Sequence, residues 1–130
     1  PIDQLVIATN TNDIMARLFD TGKMTRRAVQ PTLAPAMDIQ VSSNFERLMF
    51  DLCGRDGRTI SQSMAAFRDS GTLRMADDAL AEARELFDAA RLDDAGIKAM
   101  IDRIWRQAGI LIDPHTATAV HAAVNTQYAL

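Results

Sequence analysis

The chain has 130 residues, 48% of them hydrophobic and 24% charged, with a net charge of −3. That length allows one domain with a real core, and the balance excludes a disordered chain. It leaves no clustered basic face for nucleic acid, no apolar run near the roughly 18 residues of a membrane helix, and, with Cys53 as the single cysteine, no disulfide framework.

Gln4 to Thr9, "QLVIAT", is a short apolar β-branched run, expected to be a buried strand as in a parallel sheet. "NTND" supplies cap and turn residues. Ile14, Leu18 and Phe19 then recur at helical spacing, and Gly22 closes the element. Strand, polar turn and helix make the start of an α/β unit. Binding groups gather at the carboxyl ends of strands in such sheets, so Asn10 and Asn12 are candidate cleft-lining residues; a plain cap is the competing role.

Pro31 and Pro35 are expected to keep "AVQPTLAPAMDI" extended. A helix over Ser43–Cys53 follows, with Phe45, Leu48, Met49 and Leu52 on one face. Ser42 or Ser43 suits its N-cap, and Glu46 three residues after Ser43 matches a capping box. Capping leaves Asn44 unexplained. A helix N-terminus also receives anions, so Ser42, Ser43 and Asn44 are candidates to line a cleft. Cys53 lies on the apolar face, which predicts a buried, inert thiol.

Residues 55–108 read as helix after helix: Thr59–Arg68, Asp77–Ala90 with Asp77 or Asp78 as cap, and Asp94–Gln107, whose Ile97, Met100, Ile101, Ile104 and Trp105 form one stripe. "GTLRM" is a short extended link between the first two. The end reads as a glycine stop, a strand Ile110–Ile112, and a helix Pro114–Val124 opened by Asp113-Pro114. Asp113, His115 and Thr116 thus form a second polar strand end. His115 and His121 are six apart, so they lack the i, i+4 spacing of a metal pair, and no metal site is expected. No phosphate loop, G-x-S-x-G elbow or HExxH helix is present. Lys23, in a polar turn, and Lys98, on the outer side of a helix, lack the apolar setting that activates a Schiff-base lysine. The residues by themselves therefore give an α/β piece with appended helices and no reaction.

Three stretches carry a resemblance. "LVIATNTNDIMARLFDTG" (residues 5–22), "PTLAPAMDIQVSSNFERLMFDLCGRDG" (residues 31–57) and "GILIDPHTATAV" (residues 109–120) resemble the threonine synthase family in order and spacing, over nearly the whole chain. The resemblance implies a helix-rich α/β fold: a partial three-layer sandwich of the fold type II pyridoxal-phosphate enzymes, of tryptophan-synthase-β-like type, plus an appended helical subdomain. It divides the chain into an α/β segment (1–54), helices (55–108) and a cofactor-facing return to the α/β core (109–130). It implies a lyase of threonine biosynthesis that converts O-phospho-L-homoserine and water to L-threonine and phosphate in the cytoplasm. The Schiff-base lysine and the Gly-rich phosphate loop are expected upstream, so the chain reads as a C-terminal fragment, inactive and without bound cofactor when alone. In the motif "DPHTA", Thr116 is the implied partner of the pyridine nitrogen, with Asp113 and His115 shaping the turn.

Two other readings compete. A free-standing, non-catalytic helical binding or scaffold domain would cap its own edges, whereas the run from Ile2 to Ile7 shows little edge protection beyond Asp3. That favours the fragment, and predicts that it self-associates. An autonomous hydrolase using His115 would need a nucleophile–base pair, and none is evident.

Overall fold

The computed structural model describes residues 3–125. Strand β1, Leu5–Thr9, is followed by helix α1, Ile14–Thr21. α1 buries Ile14, Leu18 and Phe19, the face that its spacing predicts. Gly22 ends it at φ 71°; a Cβ there would lie 3.0 Å from Leu80 Cδ2, so a left-handed turn and a close neighbour both require glycine. Lys23 is not in a turn but in strand β2, Lys23–Thr25. Met24, only 1% exposed, draws that segment into the core. Pro35 opens a single 3-10 turn, Pro35–Met37, within the otherwise irregular proline segment.

Helix α2, Ser43–Leu52, has Ser42 as N-cap, and no side chain closes its first turn. The capping box expected at Ser43 and Glu46 is therefore not formed: Ser43 already lies inside the helix, one position too late to cap it. Cys53 is half-buried rather than buried, at the C-terminal end of α2 and packed against the core. Helix α3, Gly57–Ser70, is capped by Asp56, which accepts the Arg58 N–H at 2.9 Å, and is stopped by Gly71. It buries Ile60, Met64 and Phe67, as their spacing predicts. Strand β3, Thr72–Arg74, pairs antiparallel with β2 in the register Met24 to Leu73.

The next element departs most from expectation. Helix α4 covers only Asp77–Leu86, and its N-cap is Ala76, not Asp77 or Asp78, which lie in the first turn. Residues 87–90, expected to be helical, belong to strand β4, Phe87–Arg91. β4 pairs parallel with β1, Leu5 to Phe87 through Thr9 to Arg91. β1 is accordingly half-buried along most of its length, not buried. Three apart, Phe87 and Ala90 would share a helix face but lie on opposite faces of a strand, and it is Phe87 and Ala89 that pack against the core. Five residues of backbone ladder with β1 decide the outcome, since local propensity is a weak prior against tertiary pairing.

Helix α5, Asp94–Ala108, is capped by Asp93, which accepts the Gly96 N–H at 2.8 Å. The expected strand at Ile110–Ile112 is an irregular connection with no strand partner among the described residues; Leu111 is 75% exposed there. Helix α6 spans Pro114–Asn125. The larger core cluster joins α1, α2, α3 and α4 through Leu18, Phe45, Phe67 and Leu80. A smaller one joins Ala34, Ile97, Met100 and Ala117 beneath α5 and α6. No helix among the described residues is long and apolar enough to cross a membrane.

Candidate functional site

β1 and β4 run parallel, so their carboxyl ends lie side by side and the chain leaves both toward helix starts. Ligand clefts form in such places. One opens here, a cleft of about 320 Å³ lined by residues that follow β1, by Arg91 to Asp93 at the end of β4, and by His121 of α6. Asp13 anchors one wall. Its carboxylate accepts Arg17 Nε at 2.8 Å and Arg91 Nη1 at 2.9 Å, and its side chain is 6% exposed. Burial opposes its charge, but the bonds from Arg17 and Arg91 outweigh it and hold the carboxyl below its ordinary range.

Asn10 and Asn12 sit at this strand end, as expected, but both side chains are buried and bonded. The Asn10 amide donates to Thr32 Oγ1 at 2.7 Å and Asp38 Oδ1 at 2.7 Å, while its oxygen accepts the Asn12 N–H at 2.8 Å. Asn12 pairs with the backbone of Gln30 in both directions, at 2.8 and 2.9 Å, and donates to Asp38 at 3.0 Å. Asp38 is the hub. It also accepts the Thr32 hydroxyl at 2.7 Å and the Thr32 N–H at 2.9 Å. Partial burial works against its charge, yet these bonds keep its carboxyl below the ordinary range. The two asparagines thus fasten the proline segment to the strand end. The roles of Asp38 and Thr32 are not legible in the sequence, because "PTLAPAMDI" signals only an extended chain and no local pattern says which residue it faces.

The second cluster opens α6. Asp113 Oδ1 accepts the His115 N–H at 2.9 Å and the Thr116 N–H at 3.3 Å, which is an N-cap made by the side chain. Asp113 Oδ1 also meets His115 Nδ1 at 3.0 Å, and the Thr116 hydroxyl donates to Asp113 Oδ2. The Thr116 hydroxyl, then the His115 ring, hold the Asp113 carboxyl well below its usual range. His115 Nε2 accepts the Ala36 N–H at 3.3 Å, so the proton of the neutral ring lies on Nδ1, toward Asp113. Ala36 belongs to the same proline segment that Asn10 and Asn12 hold. One segment therefore joins both predicted strand-end clusters.

Ser43 and Asn44 are exposed, and Ser42 is half-buried against a smaller cavity of about 180 Å³ shared with Thr9, Asn12 and Ala36. Lys23 and Lys98 are both exposed. Among the described residues no group of three His, Cys, Asp or Glu side chains is placed to hold a metal ion.

Comparison with known proteins bears on this arrangement. No family model matches the chain. The threonine synthase of Pseudomonas aeruginosa is 45% identical over 95% of the chain, which covers 26% of that protein. That of Corynebacterium glutamicum is 40% identical over 95% of the chain and 27% of its own length. Among solved structures, pyridoxal-phosphate-bound threonine synthase from Brucella melitensis matches with a TM-score of 0.95 and 39% identity, over 99% of this chain and 28% of that one. Threonine synthase from yeast matches with a TM-score of 0.90 and 32% identity, over 95% and 27% of the two chains. The chain spans about a quarter of the length of the curated relatives it matches. Its helix-rich α/β fold is that of the corresponding part of these structures, as the motif resemblance implied.

Proposed function

We propose that this chain is the C-terminal portion of a threonine synthase, and that the whole enzyme converts O-phospho-L-homoserine and water to L-threonine and phosphate in the cytoplasm. The observation that carries this reading is the superposition of 99% of the chain on a threonine synthase solved with pyridoxal phosphate bound.

The residues present fit one side of that cofactor. When bound, the cofactor supplies an electron sink for the carbon chemistry. Thr116 offers a neutral hydroxyl, exposed at the N-terminus of α6 and oriented by Asp113. It would hold the edge of the ring that carries the nitrogen, with His115 and Asp113 keeping the turn in shape. The N–H groups at the start of α2, with Ser42, Ser43 and Asn44, have no side-chain cap and suit the phosphate end of the substrate. Lys23 and Lys98, both exposed, do not fit the Schiff-base role, which falls to a lysine outside this chain.

The test is the full-length protein. Release of phosphate and formation of threonine from O-phospho-L-homoserine are expected, and Thr116→Val should weaken cofactor retention while Thr116→Ser restores it. Absence of both products with cofactor bound would overturn the reading. The isolated chain, incubated with pyridoxal phosphate and reduced with borohydride, should show no stoichiometric label on Lys23 or Lys98.

A second reading, a free-standing scaffold domain, draws on the pairing of β1 with β4 inside this chain. The two readings separate in solution. With a strand on only one side of β1 among the described residues, a fragment should associate as its concentration rises. A strict monomer by light scattering, with the Leu5 to Ala8 amides protected from exchange, would favour the scaffold.

A further inference from the structure

The cleft at the ends of β1 and β4 has a charge pattern that the reading above does not use. One buried carboxylate, Asp13, is shared by two guanidiniums, Arg17 and Arg91. That leaves a surplus of one positive charge at this wall. Arg17 is largely buried, but the Arg91 side chain is 71% exposed and commits only Nη1 to Asp13. Its other N–H groups are therefore available to the cleft that it lines.

His121, from α6, lines the same cleft. The Asn125 amide nitrogen lies 2.9 Å from His121 Nδ1 and donates to the His121 carbonyl at 2.9 Å. An amide nitrogen carries only donors, so Nδ1 accepts, and the neutral ring keeps its proton on Nε2. That gives a second donor. Asp93 supplies the opposite sign. One of its oxygens caps α5 through Gly96, and the other has no partner among the described residues. Donors and a carboxylate thus share a space of about 320 Å³, at the small end of ligand pockets. A dianion would be repelled by Asp93, and a simple cation by Arg91. A molecule that carries both charges suits this mixed lining.

We propose that this cleft binds a small zwitterion of the α-amino-acid type, its carboxylate held by Arg91 and His121 and its ammonium by Asp93. Charge-assisted hydrogen bonds give the binding, and the two signs give the selection. The proposal stands on the cleft and not on the catalytic reading.

The test uses the full-length protein that carries this chain. L-alanine is titrated while the His121 ring is followed by NMR, its signal identified by His121→Gln. Acetate and ethylamine serve as the two half-ligands. L-alanine should shift the His121 signal and saturate, with each half-ligand at least tenfold weaker. Arg91→Gln should weaken L-alanine at least tenfold, and Arg91→Lys should restore part of the loss. Asp93→Asn should abolish the preference for L-alanine over acetate. Cofactor absorbance, followed in parallel, separates this site from the one proposed above: a response in absorbance with none at His121 would overturn the cleft assignment and leave the catalytic reading standing. Equal response to acetate and L-alanine, or unchanged affinity in Arg91→Gln, would also overturn it. Should Arg91→Gln fail to fold, Thr11→Val, at an exposed residue of the same wall, and His121→Gln, read by calorimetry, carry the test; unchanged affinity in both would overturn the assignment.

Discussion

Asp38 and Asp113 are the same chemical device in two settings. Each carboxylate accepts a threonine hydroxyl and a backbone N–H from that same threonine, and each has its pKa lowered as a result. Asp113 reaches only two and three residues along the chain. Asp38 also gathers Asn10 and Asn12, which lie 28 and 26 residues away. The first arrangement opens a helix; the second fastens one part of the fold to another. A side-chain bond counts for the fold by the distance along the sequence that it spans and by the burial of the donors it satisfies.

The largest expected effect breaks the long-range member. Asp38→Ala strips Asn10 and Asn12, both buried, of a shared acceptor. Asn10 keeps Thr32 Oγ1 and the Ala34 carbonyl, but one N–H of the Asn12 amide and the Thr32 N–H lose their acceptor, which costs about 1–3 kcal/mol, to be read by chemical denaturation. Thr32→Val should cost less, about 1 kcal/mol, because Asp38 keeps its amide donors. In the double mutant the two losses should not add, since both residues belong to one network; strict additivity would show that Asp38 and Thr32 act separately. Asp113→Ala should have the smallest effect on global stability and should be visible mainly as faster amide exchange in the first turn of α6. A global loss equal to that of Asp38→Ala would erase the contrast between the two carboxylates.

Acid sharpens the same comparison. Both folded carboxyls titrate below the unfolded value of 3.8. Their contribution is therefore complete above that value and is lost as pH falls through it toward the folded pKa. Asp38→Asn should flatten the acid limb of global stability. Asp113→Asn should flatten only the acid limb of the local opening of α6, measured by exchange.

Much of this molecule is legible in its sequence where local rules and packing agree. The apolar faces of α1, α2 and α3 follow from the spacing of Leu18, Phe45 and Phe67, and all three side chains are buried. Gly22 and the Asp113 cap follow from backbone geometry within a few residues. Three motif stretches were enough to carry the family resemblance. What the sequence could not determine is long-range. The stretch Phe87 to Ala90 fits a helix as well as a strand, and only its ladder with β1 makes it β4. Ile110–Ile112 looks like a strand, yet finds no strand partner among the described residues. The position of Asn10 and Asn12 just after a strand is legible, but their burial depends on Asp38 and Thr32 arriving from another segment. The cleft likewise needs Arg91, the last residue of β4, and His121, some thirty residues further on. Periodicity and caps are set by bonds along a few residues, whereas strand pairing and buried polar networks depend on which distant segment is nearby, and only the tertiary structure decides that.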